Sequence, residues 1–254
     1  MFFDTHAHYD DKAFDDGRED LLNTVFATGV EGVINPGCDI TSSRKALEIA
    51  EKFSRFWFAA GIHPEELSDI PENYLDILRT LAAHPKCVAI GEIGLDYYWD
   101  VSQKTLQKEI FEAQLDLAEE LHLPVIIHDR EAHGDCLEIV KRHPESFGVF
   151  HCYSGSAEMA SILLNMGWYI GFDGPVTYKN ARKTIEVLEM MPLHRILIET
   201  DSPYLSPVPM RGKRNDSRNL KFIINKIAEV RGVSVEELAK LTYENAVTLF
   251  GIKM

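Results

Sequence analysis

The sequence has few basic residues and no long apolar run. Its 26 lysine and arginine residues face 40 aspartate and glutamate residues, which gives a formal net charge of −14 over 254 residues. A surface with this charge repels phosphate backbones and anionic lipids, so any contact with nucleic acid must be local. The apolar stretches fall short of the roughly 20 residues that span a bilayer, and the first residues, MFFDTH, lack the basic start of a signal peptide. We therefore expect a cytoplasmic protein that does not bind membranes.

Cysteine is scarce and scattered. The sequence contains four cysteines and no C-x-x-C pair, namely Cys38, Cys87, Cys136 and Cys152. This spacing provides neither a zinc finger nor a redox motif. We expect reduced thiols, and we interpret Cys152 as a small packed residue.

Short apolar segments alternate with longer amphipathic ones along most of the chain. We predict strands at residues 1–5, 32–35, 56–60, 88–92, 124–128, 148–151, 168–172 and 195–199. The continuously apolar run of Val125, Ile126 and Ile127 is typical of a parallel strand that is covered on both faces. Eight strand–helix repeats in 254 residues match a closed barrel, because open doubly wound sheets usually have fewer strands. The predicted fold class is α/β, a single (β/α)8 TIM barrel that forms one domain over residues 1–254.

Helical patterns follow the strands and continue to the carboxyl end. An apolar stripe with a period of 3.6 residues predicts a helix over residues 106–121. After Pro203, prolines and basic residues predict a long loop, and two further helices are expected at residues 220–231 and 235–250. Ser234 stands three residues before Glu237, which resembles a capping box. These last helices would be additions to the barrel.

Metal-binding side chains end or follow several of the predicted strands. His6 and His8 follow the first strand, and an H-x-H pair in an extended segment places both imidazoles on the same side. The fourth, fifth, sixth and eighth strands carry further candidates, namely Glu92, His128, His151 and Asp201. Taken singly, each could be an ordinary hydrogen-bonded residue at a barrel mouth. Together, four imidazoles and two carboxylates suit two divalent ions about 3.5–4 Å apart that share a bridging carboxylate.

These candidates lie in an ordered series of motifs. The motifs are DTHAH at 4–8, GIHP at 61–64, GEIGLDY at 91–97, IHDR at 127–130, HCYSG at 151–155, ETDSPYL at 199–205 and RGKRN at 211–215. The series resembles the TatD-related DNases, a family of amidohydrolase-like metal-dependent hydrolases, over nearly the whole chain. The resemblance implies a barrel fold and hydrolysis of DNA. It also implies a first metal position at His6, His8, Glu92 and Asp201, and a second at Glu92, His128 and His151.

Two positions depart from the family pattern. Members commonly have His before the RGK segment and Glu-Pro after its Asn, whereas this chain has Met210 and the pair Asp216 and Ser217. The departures leave the metal ligands intact. They fall in a loop that could contact the substrate. The motifs therefore indicate the type of reaction more firmly than they indicate the preferred substrate.

The residue types of the candidate ligands do not determine which metal ion is bound. Imidazole with carboxylate suits Zn²⁺ or Mn²⁺, and carboxylate with water suits Mg²⁺. We hypothesise that a hydroxide between the two ions attacks the phosphorus of a phosphodiester. Asp201 would orient this nucleophile or receive its proton, Glu92 would bridge the ions, and His63 would support a ligand or contact a phosphate. We interpret Asp96 and Glu199 as groups that orient ligands or the neighbouring loop.

Four basic residues are candidates for binding the substrate. Arg130 stands two residues after His128 and could clamp a phosphate, although an outward salt bridge is an alternative. The compact basic run of Arg211, Lys213 and Arg214 could attract a nucleic-acid backbone, or it could be a solvated loop. The aromatic residues 97–99 could stack on unpaired bases or pack within their loop.

Three classes of function remain at this point. The first is a DNA phosphodiesterase acting at the 3′ ends of single-stranded or frayed DNA, a polarity that rests on the resemblance alone. The second keeps the metal centre but hydrolyses an ester, amide or lactone, such as an aminoacyl-tRNA ester. The third is a non-catalytic binding barrel, which predicts missing ligands, whereas the ligand set here is complete. We infer no obligate protein partner.

Overall fold

Parallel strands and helices alternate in the computed structural model, which describes residues 1–99 and 101–253. Within these residues, eight strands form one sheet in sequential order. The strands are β1 (Phe2–Asp4), β2 (Val30–Pro36), β3 (Phe56–Ala60), β4 (Cys87–Asp96), β5 (Val125–Arg130), β6 (Gly148–Phe150), β7 (Tyr169–Phe172) and β8 (Ile196–Ile198). The α-helices are α1 (Arg18–Ala27), α2 (Ile40–Lys52), α3 (Tyr74–Ala82), α4 (Lys104–Leu121), α5 (His133–Arg142), α6 (Ala157–Asn165), α7 (Arg182–Met190), α8 (Leu220–Arg231) and α9 (Val235–Leu249).

Backbone hydrogen bonds just beyond β1 and β8 join the two edges of the sheet. The amide of Thr5 donates to the carbonyl of Ile198 at 3.3 Å, and the amide of Asp201 donates to the carbonyl of His6 at 2.9 Å. Ala7 and Ser202 form a parallel bridge in the same segment. Because the strands pair in parallel from β1 through to β8, these contacts close the barrel. The predicted (β/α)8 fold with additional carboxyl-terminal helices is confirmed.

The strands bury both faces, which explains their continuously apolar sequence. Along β5, Val125 and Ile127 pack in the core between the sheet and the helices. Ile126 instead points into the barrel and belongs to a second cluster. Leu249 and Phe250 at the end of α9 join this second cluster, so the last helix covers the amino ends of the strands. The opposite end of the barrel is left for the carboxyl ends of the strands.

The predicted helix boundaries agree closely with the structure. Helix α4 begins at Lys104 and ends at Leu121, where His122 takes a left-handed φ of 53°. Helix α8 has the predicted bounds, and α9 ends one residue early at Leu249. The Ser234 hydroxyl accepts a hydrogen bond from the Glu237 amide at 3.1 Å, which caps α9 as expected. Among the described residues, no helix is long and apolar enough to cross a membrane.

Two strands run two or more residues past their predicted carboxyl ends. β4 continues past Glu92 to Asp96, and β5 continues past His128 to Arg130. The prediction that Glu92 and His128 end their strands is therefore wrong. The physical reason is that Leu95 is fully buried and the extension pairs with β5 through residues 93–96.

Candidate metal centre

The first cluster of donor atoms lies where the barrel closes. The Nε2 atoms of His6 and His8 are 3.0 Å apart, so both imidazoles lie on the same side as predicted. Glu92 Oε2 lies 3.2 Å from the His6 nitrogen and 3.5 Å from the His8 nitrogen. Asp201 Oδ1 lies 3.7 Å and 3.5 Å from the same two nitrogens. Two nitrogens and two carboxylate oxygens thus meet in one place.

A second cluster forms around the other oxygen of Glu92. Glu92 Oε1 lies 2.9 Å from His128 Nδ1 and 2.7 Å from His151 Nε2. The two imidazole nitrogens are 3.3 Å apart. The structure therefore brings the six predicted ligands together as two sets that share Glu92. A carboxylate with one oxygen in each set can bridge two ions.

A bulge in β4 presents Glu92 to both clusters. Ile90 pairs with Val125 and Ile93 pairs with Ile127, so β4 uses one residue more than β5 over this stretch. Such an extra residue bends a strand and redirects a side chain. The Glu92 amide is held by the carbonyl of Gly37 at 2.9 Å. The position of Glu92 is thus determined by the bulge against β5 and by the hydrogen bond to Gly37, which follows β2.

Asp201 reaches the first cluster from an unusual backbone conformation. Its φ is 52°, in the left-handed region that non-glycine residues seldom adopt, although Asp tolerates it better than most. Strained backbone of this kind is often found at functional sites. The Asp201 side chain is 15% exposed, against 3% for Glu92. Asp201 is therefore the more accessible carboxylate of the pair.

The protonation states of the site fit a divalent cation. Burial and the neighbouring His151 together lower the pKa of His6 to about 4, so this imidazole is neutral at pH 7. Burial alone would raise the pKa of Glu92, but His151, His6 and His63 hold it well below the usual range. Burial also disfavours charged His128, yet hydrogen bonds to Asp96 and Glu92 raise its pKa to about 10. The carboxylates thus stabilise positive charge in the site, here the proton on His128. A metal ion supplies that charge when it displaces the proton.

Groups behind the clusters hold the imidazoles in place. His128 Nε2 lies 2.9 Å from Asp96 Oδ2, which leaves Nδ1 to face Glu92. The Asp96 carboxylate also accepts hydrogen bonds from the amides of Tyr98 and Trp99. Glu199 Oε1 lies 3.7 Å from His151 Nδ1. The Asp96 contact agrees with the predicted orienting role, since such outer partners commonly determine which nitrogen of a histidine binds metal. The Glu199 contact is longer than a hydrogen bond, so the role of Glu199 stays a prediction.

His63 lies beside both clusters without completing either. Its Nε2 is 3.5 Å from Glu92 Oε1, and its ring centre is 4.3 Å from that of His128. Its Nδ1 accepts a hydrogen bond from the Glu65 amide at 3.2 Å, so the neutral ring carries its proton on Nε2. Burial lowers the pKa of His63, as does the neighbouring His128. The site thus contains a neutral imidazole whose N–H faces Glu92.

Comparison with known proteins agrees with this geometry. The family described as TatD related DNase matches residues 3–251. The chain belongs to the TatD-related DNase family. It is similar to the uncharacterized metal-dependent hydrolase YabD of Bacillus subtilis (strain 168), with 43% identity over 99% of this chain and 100% of the relative. It is also 35% identical to the 3′-5′ ssDNA/RNA exonuclease TatD of Salmonella typhimurium, over 98% of this chain and 99% of the relative.

A solved structure of the family shares the whole fold. The crystal structure of YJJV, a TatD homolog from Escherichia coli K12, superposes with a TM-score of 0.94 at 32% identity. The match covers 99% of this chain and 98% of the other. As a TatD-family protein, this chain is a metal-dependent hydrolase, and its buried histidine and glutamate clusters suit a binuclear metal site.

The two departures from the TatD-family pattern have structural partners in this chain. The Asp216 carboxylate accepts hydrogen bonds from the amide and the guanidinium of Arg218. Ser217 Oγ lies 2.8 Å from the Tyr9 hydroxyl. Asp216 therefore caps the turn before α8, and Ser217 holds that turn to the barrel. Met210 lies on the preceding loop, where its amide donates to the carbonyl of Pro207.

Two cavities meet at the metal centre of this TatD-family barrel. One has a volume of about 290 Å³ and the other about 430 Å³. Both are lined by His128, His151 and Asp201 and by Arg130. Arg130 is exposed, and its guanidinium lies 4.1 Å from the ring centre of Tyr98. Arg130 thus stands beside the ligands, as its spacing from His128 predicted.

The basic run at 211–214 is not part of this lining. The Arg211 guanidinium lies 4.4 Å from the ring centre of Tyr178. The Arg214 guanidinium donates to the carbonyl of Ala13 at 2.5 Å and lies 4.9 Å from the ring centre of Phe14. Neither these arginines nor Lys213 lines the two cavities described above. Their role in binding substrate stays a prediction.

Sequence reasoning missed several acidic residues at the site, and Asp173 is the one that a simple rule would have found. Asp173 is buried, lines the smaller cavity and directly follows β7. Its position matches that of the other candidates, because it comes immediately after a barrel strand. A search for every acidic residue that follows a predicted strand would have found it.

Proposed function

We propose that this protein is a divalent-metal-dependent deoxyribonuclease that removes nucleotides from the 3′ ends of single-stranded or frayed DNA. The observation that carries the proposal is that Glu92 has one carboxylate oxygen in each of two histidine clusters. Paired divalent ions are a recurrent solution for cleaving phosphodiesters. The relative named 3′-5′ ssDNA/RNA exonuclease supports the substrate and the polarity.

The ligands divide between two metal positions. His6, His8 and Asp201 would hold one ion with Glu92 Oε2, and His128 and His151 would hold the other with Glu92 Oε1. When bound, divalent ions lower the pKa of water and neutralise charge on a phosphoryl group. Mg²⁺, Mn²⁺ and Zn²⁺ are the candidates for this nitrogen and oxygen set.

Asp201 and His63 are the side chains that act on the substrate and its attacking water. Asp201 Oδ1 faces His6 and His8, which leaves Oδ2 to accept the proton of the water. Asp201 suits this role because it is more exposed than Glu92. The His63 Nε2–H faces Glu92 Oε1 at 3.5 Å within the larger cavity that Asp201 also lines, and it would donate to a phosphoryl oxygen there, where negative charge develops.

A local cationic and aromatic group would bind the single strand despite the net charge of −14. The Arg130 guanidinium lies 4.1 Å and 5.5 Å from the ring centres of Tyr98 and Trp99. Both rings are more than half exposed. Arg130 would neutralise a phosphate, and the rings would stack on unpaired bases. Stacking requires unpaired bases, which favours single-stranded over fully paired ends.

Hydrolysis of end-labelled oligonucleotides tests the proposal. Purified protein loaded with Mg²⁺, Mn²⁺ or Zn²⁺ is given the same single strand labelled at either end, and a blunt duplex of that sequence. We expect the 3′ label to leave as a mononucleotide, while the 5′ label remains on a ladder of shortened strands. The duplex should react more slowly, and a chelator should stop the reaction.

The same preparation should be tested on ester, amide and lactone substrates. Hydrolysis of these compounds with no cleavage of any oligonucleotide would contradict the nuclease proposal and favour carbonyl hydrolysis at the same metal centre. Release of the 5′ label first would contradict the polarity alone. Full activity in the presence of chelator would contradict the role of the ions.

A further inference from the structure

The smaller cavity beside the metal centre is lined by candidate metal ligands and by apolar side chains. Its volume of about 290 Å³ lies against the ligands His151 and Asp201. Phe172, Pro175 and Leu205 provide apolar surface on its other sides. A mostly apolar cavity with a few polar groups is the usual form of a site for a small organic group. Its position places that group next to the bond being cleaved.

Two carboxylate oxygens in this lining lack a hydrogen-bond partner. Within residues 1–99 and 101–253, four buried side-chain atoms have none, and among them are Asp129 Oδ1 and Asp173 Oδ2. Both residues line the smaller cavity. An unpaired buried polar atom is costly and rare in proteins, so its occurrence calls for an explanation. Both oxygens are almost fully covered, so a ligand with N–H donors would pair with them once either carboxylate turned its free oxygen toward the cavity.

We propose that the smaller cavity binds the base of the 3′-terminal nucleotide. The assignment rests on the proposed nuclease function. A nucleobase has apolar faces, which match Phe172, Pro175 and Leu205, and a polar edge, which suits the two carboxylates. Each of the four DNA bases carries an N–H donor on its pairing edge, so this contact tolerates any sequence.

The arrangement of the two cavities determines the direction in which a DNA strand would lie across the site. Arg130 lines both cavities, so a phosphate bound there lies at their junction. The terminal base enters the smaller cavity, and the preceding nucleotides lie along the larger one. Trp99 lines the larger cavity and is 64% exposed, which suits stacking on a preceding base. One terminal nucleotide is therefore held at a time, as removal from an end requires.

Substrates without a terminal base test the assignment. The wild-type protein is given two oligonucleotides that differ only at the 3′ end, one with a normal nucleotide and one with a stable abasic analogue. Loss of the base should lower kcat/KM by roughly 5- to 100-fold, as expected from the energy of stacking one base. Equal kcat/KM for the two substrates would overturn the assignment and leave the nuclease function intact.

A variant that fills the cavity shows where the base binds. Thr184 on α7 lines the cavity, so Thr184→Trp should slow cleavage of the normal end and bring the ratio of the two kcat/KM values close to one. Glu189→Trp adds the same bulk on an exposed part of α7 and should keep the wild-type ratio. A folded Thr184→Trp protein with the wild-type ratio would show that the base binds elsewhere. If the wild-type protein cleaves no oligonucleotide, the proposed function and this inference both fail.

Discussion

At the scale of single residues, Glu92 shows two opposing effects on one carboxylate. Burial raises the cost of its charge, whereas the imidazoles of His151, His6 and His63 favour that charge. The imidazoles prevail, and the pKa of Glu92 lies well below its ordinary value. Glu92 therefore stays ionised at neutral pH, which a bridging metal ligand requires.

Asp201 gives the sharpest test of a single side chain. Asp201→Asn keeps the size of the group but removes the carboxylate that would accept a proton. We expect kcat to fall by roughly 100- to 10,000-fold, the range for loss of a general base. Circular dichroism should show an unchanged fold. Wild-type turnover by this variant would remove Asp201 from the mechanism.

Asp96 tests how the second metal position is held. Asp96→Ala removes the partner of His128 Nε2, so the ring is free to turn Nδ1 away from Glu92. We expect metal affinity at one of the two positions to fall by about 10- to 100-fold. Calorimetric titration with Zn²⁺ measures both positions.

Asp76→Ala serves as the matched control for Asp96→Ala, because Asp76 lies exposed on α3. It should bind metal as the wild-type protein does. Two unchanged affinities in Asp96→Ala would show that Asp96 does not position His128. Asp96→Asn retains an oxygen acceptor and should restore part of the lost affinity.

At the scale of elements, the pairing of β4 with β5 determines the distance between Glu92 and His128. Gly94 lies between them on β4 with a φ of 142°, and a Cβ there would come 2.0 Å from the His128 carbonyl oxygen. Gly94→Ala must therefore separate the strands. We expect a loss of about 2 kcal/mol or more in unfolding free energy, together with lower kcat.

Gly134→Ala is the control for the Gly94 variant. Gly134 lies on α5, and a Cβ there would have no atom within 4 Å. Alanine should leave activity unchanged and stabilise the helix slightly. Denaturant unfolding of both variants measures the difference. A Gly94→Ala protein as stable and active as Gly134→Ala would show that this approach of the strands is not needed.

The last helix contributes stability rather than chemistry. Phe250 follows α9 and is buried in the cluster at the amino ends of the strands, away from the metal ligands. Phe250→Ala should lower the unfolding free energy by about 3–5 kcal/mol. Exposed Thr248→Ala should change it little. Below the melting transition, kcat should be unchanged, and a specific loss of kcat would show that α9 also acts on the site.

At the scale of the whole molecule, the expectation of one domain over residues 1–254 stays a prediction. Trp57 lies in the cluster that α9 joins, and Trp168 lies in the core between the sheet and the helices. Because both clusters share the strands, we expect tryptophan fluorescence and circular dichroism to report one coincident thermal transition. Separate melting of the carboxyl-terminal helices would contradict a single cooperative unit.

Charge is also a property of the whole molecule. The net charge of −14 opposes a DNA backbone, whereas Arg130 provides positive charge beside the ligands. Arg214 is already engaged with Ala13 and Phe14, so the basic run does not by itself reveal a binding surface. The spacing of Arg130 from His128 indicated this cation, whereas the contacts of the basic run depend on loop packing that its sequence does not indicate.

The amino-acid sequence by itself determined the order of strands and helices, because the continuous burial of parallel strands requires apolar runs such as Val125 to Ile127. It also identified the six candidate ligands, because few residue types bind metal and these stand near predicted strand ends. Only the tertiary structure decided that each oxygen of Glu92 serves a different cluster and that Asp96 turns His128. These details depend on the bulge and the register of β4 against β5, and register arises from contacts between segments far apart in the chain.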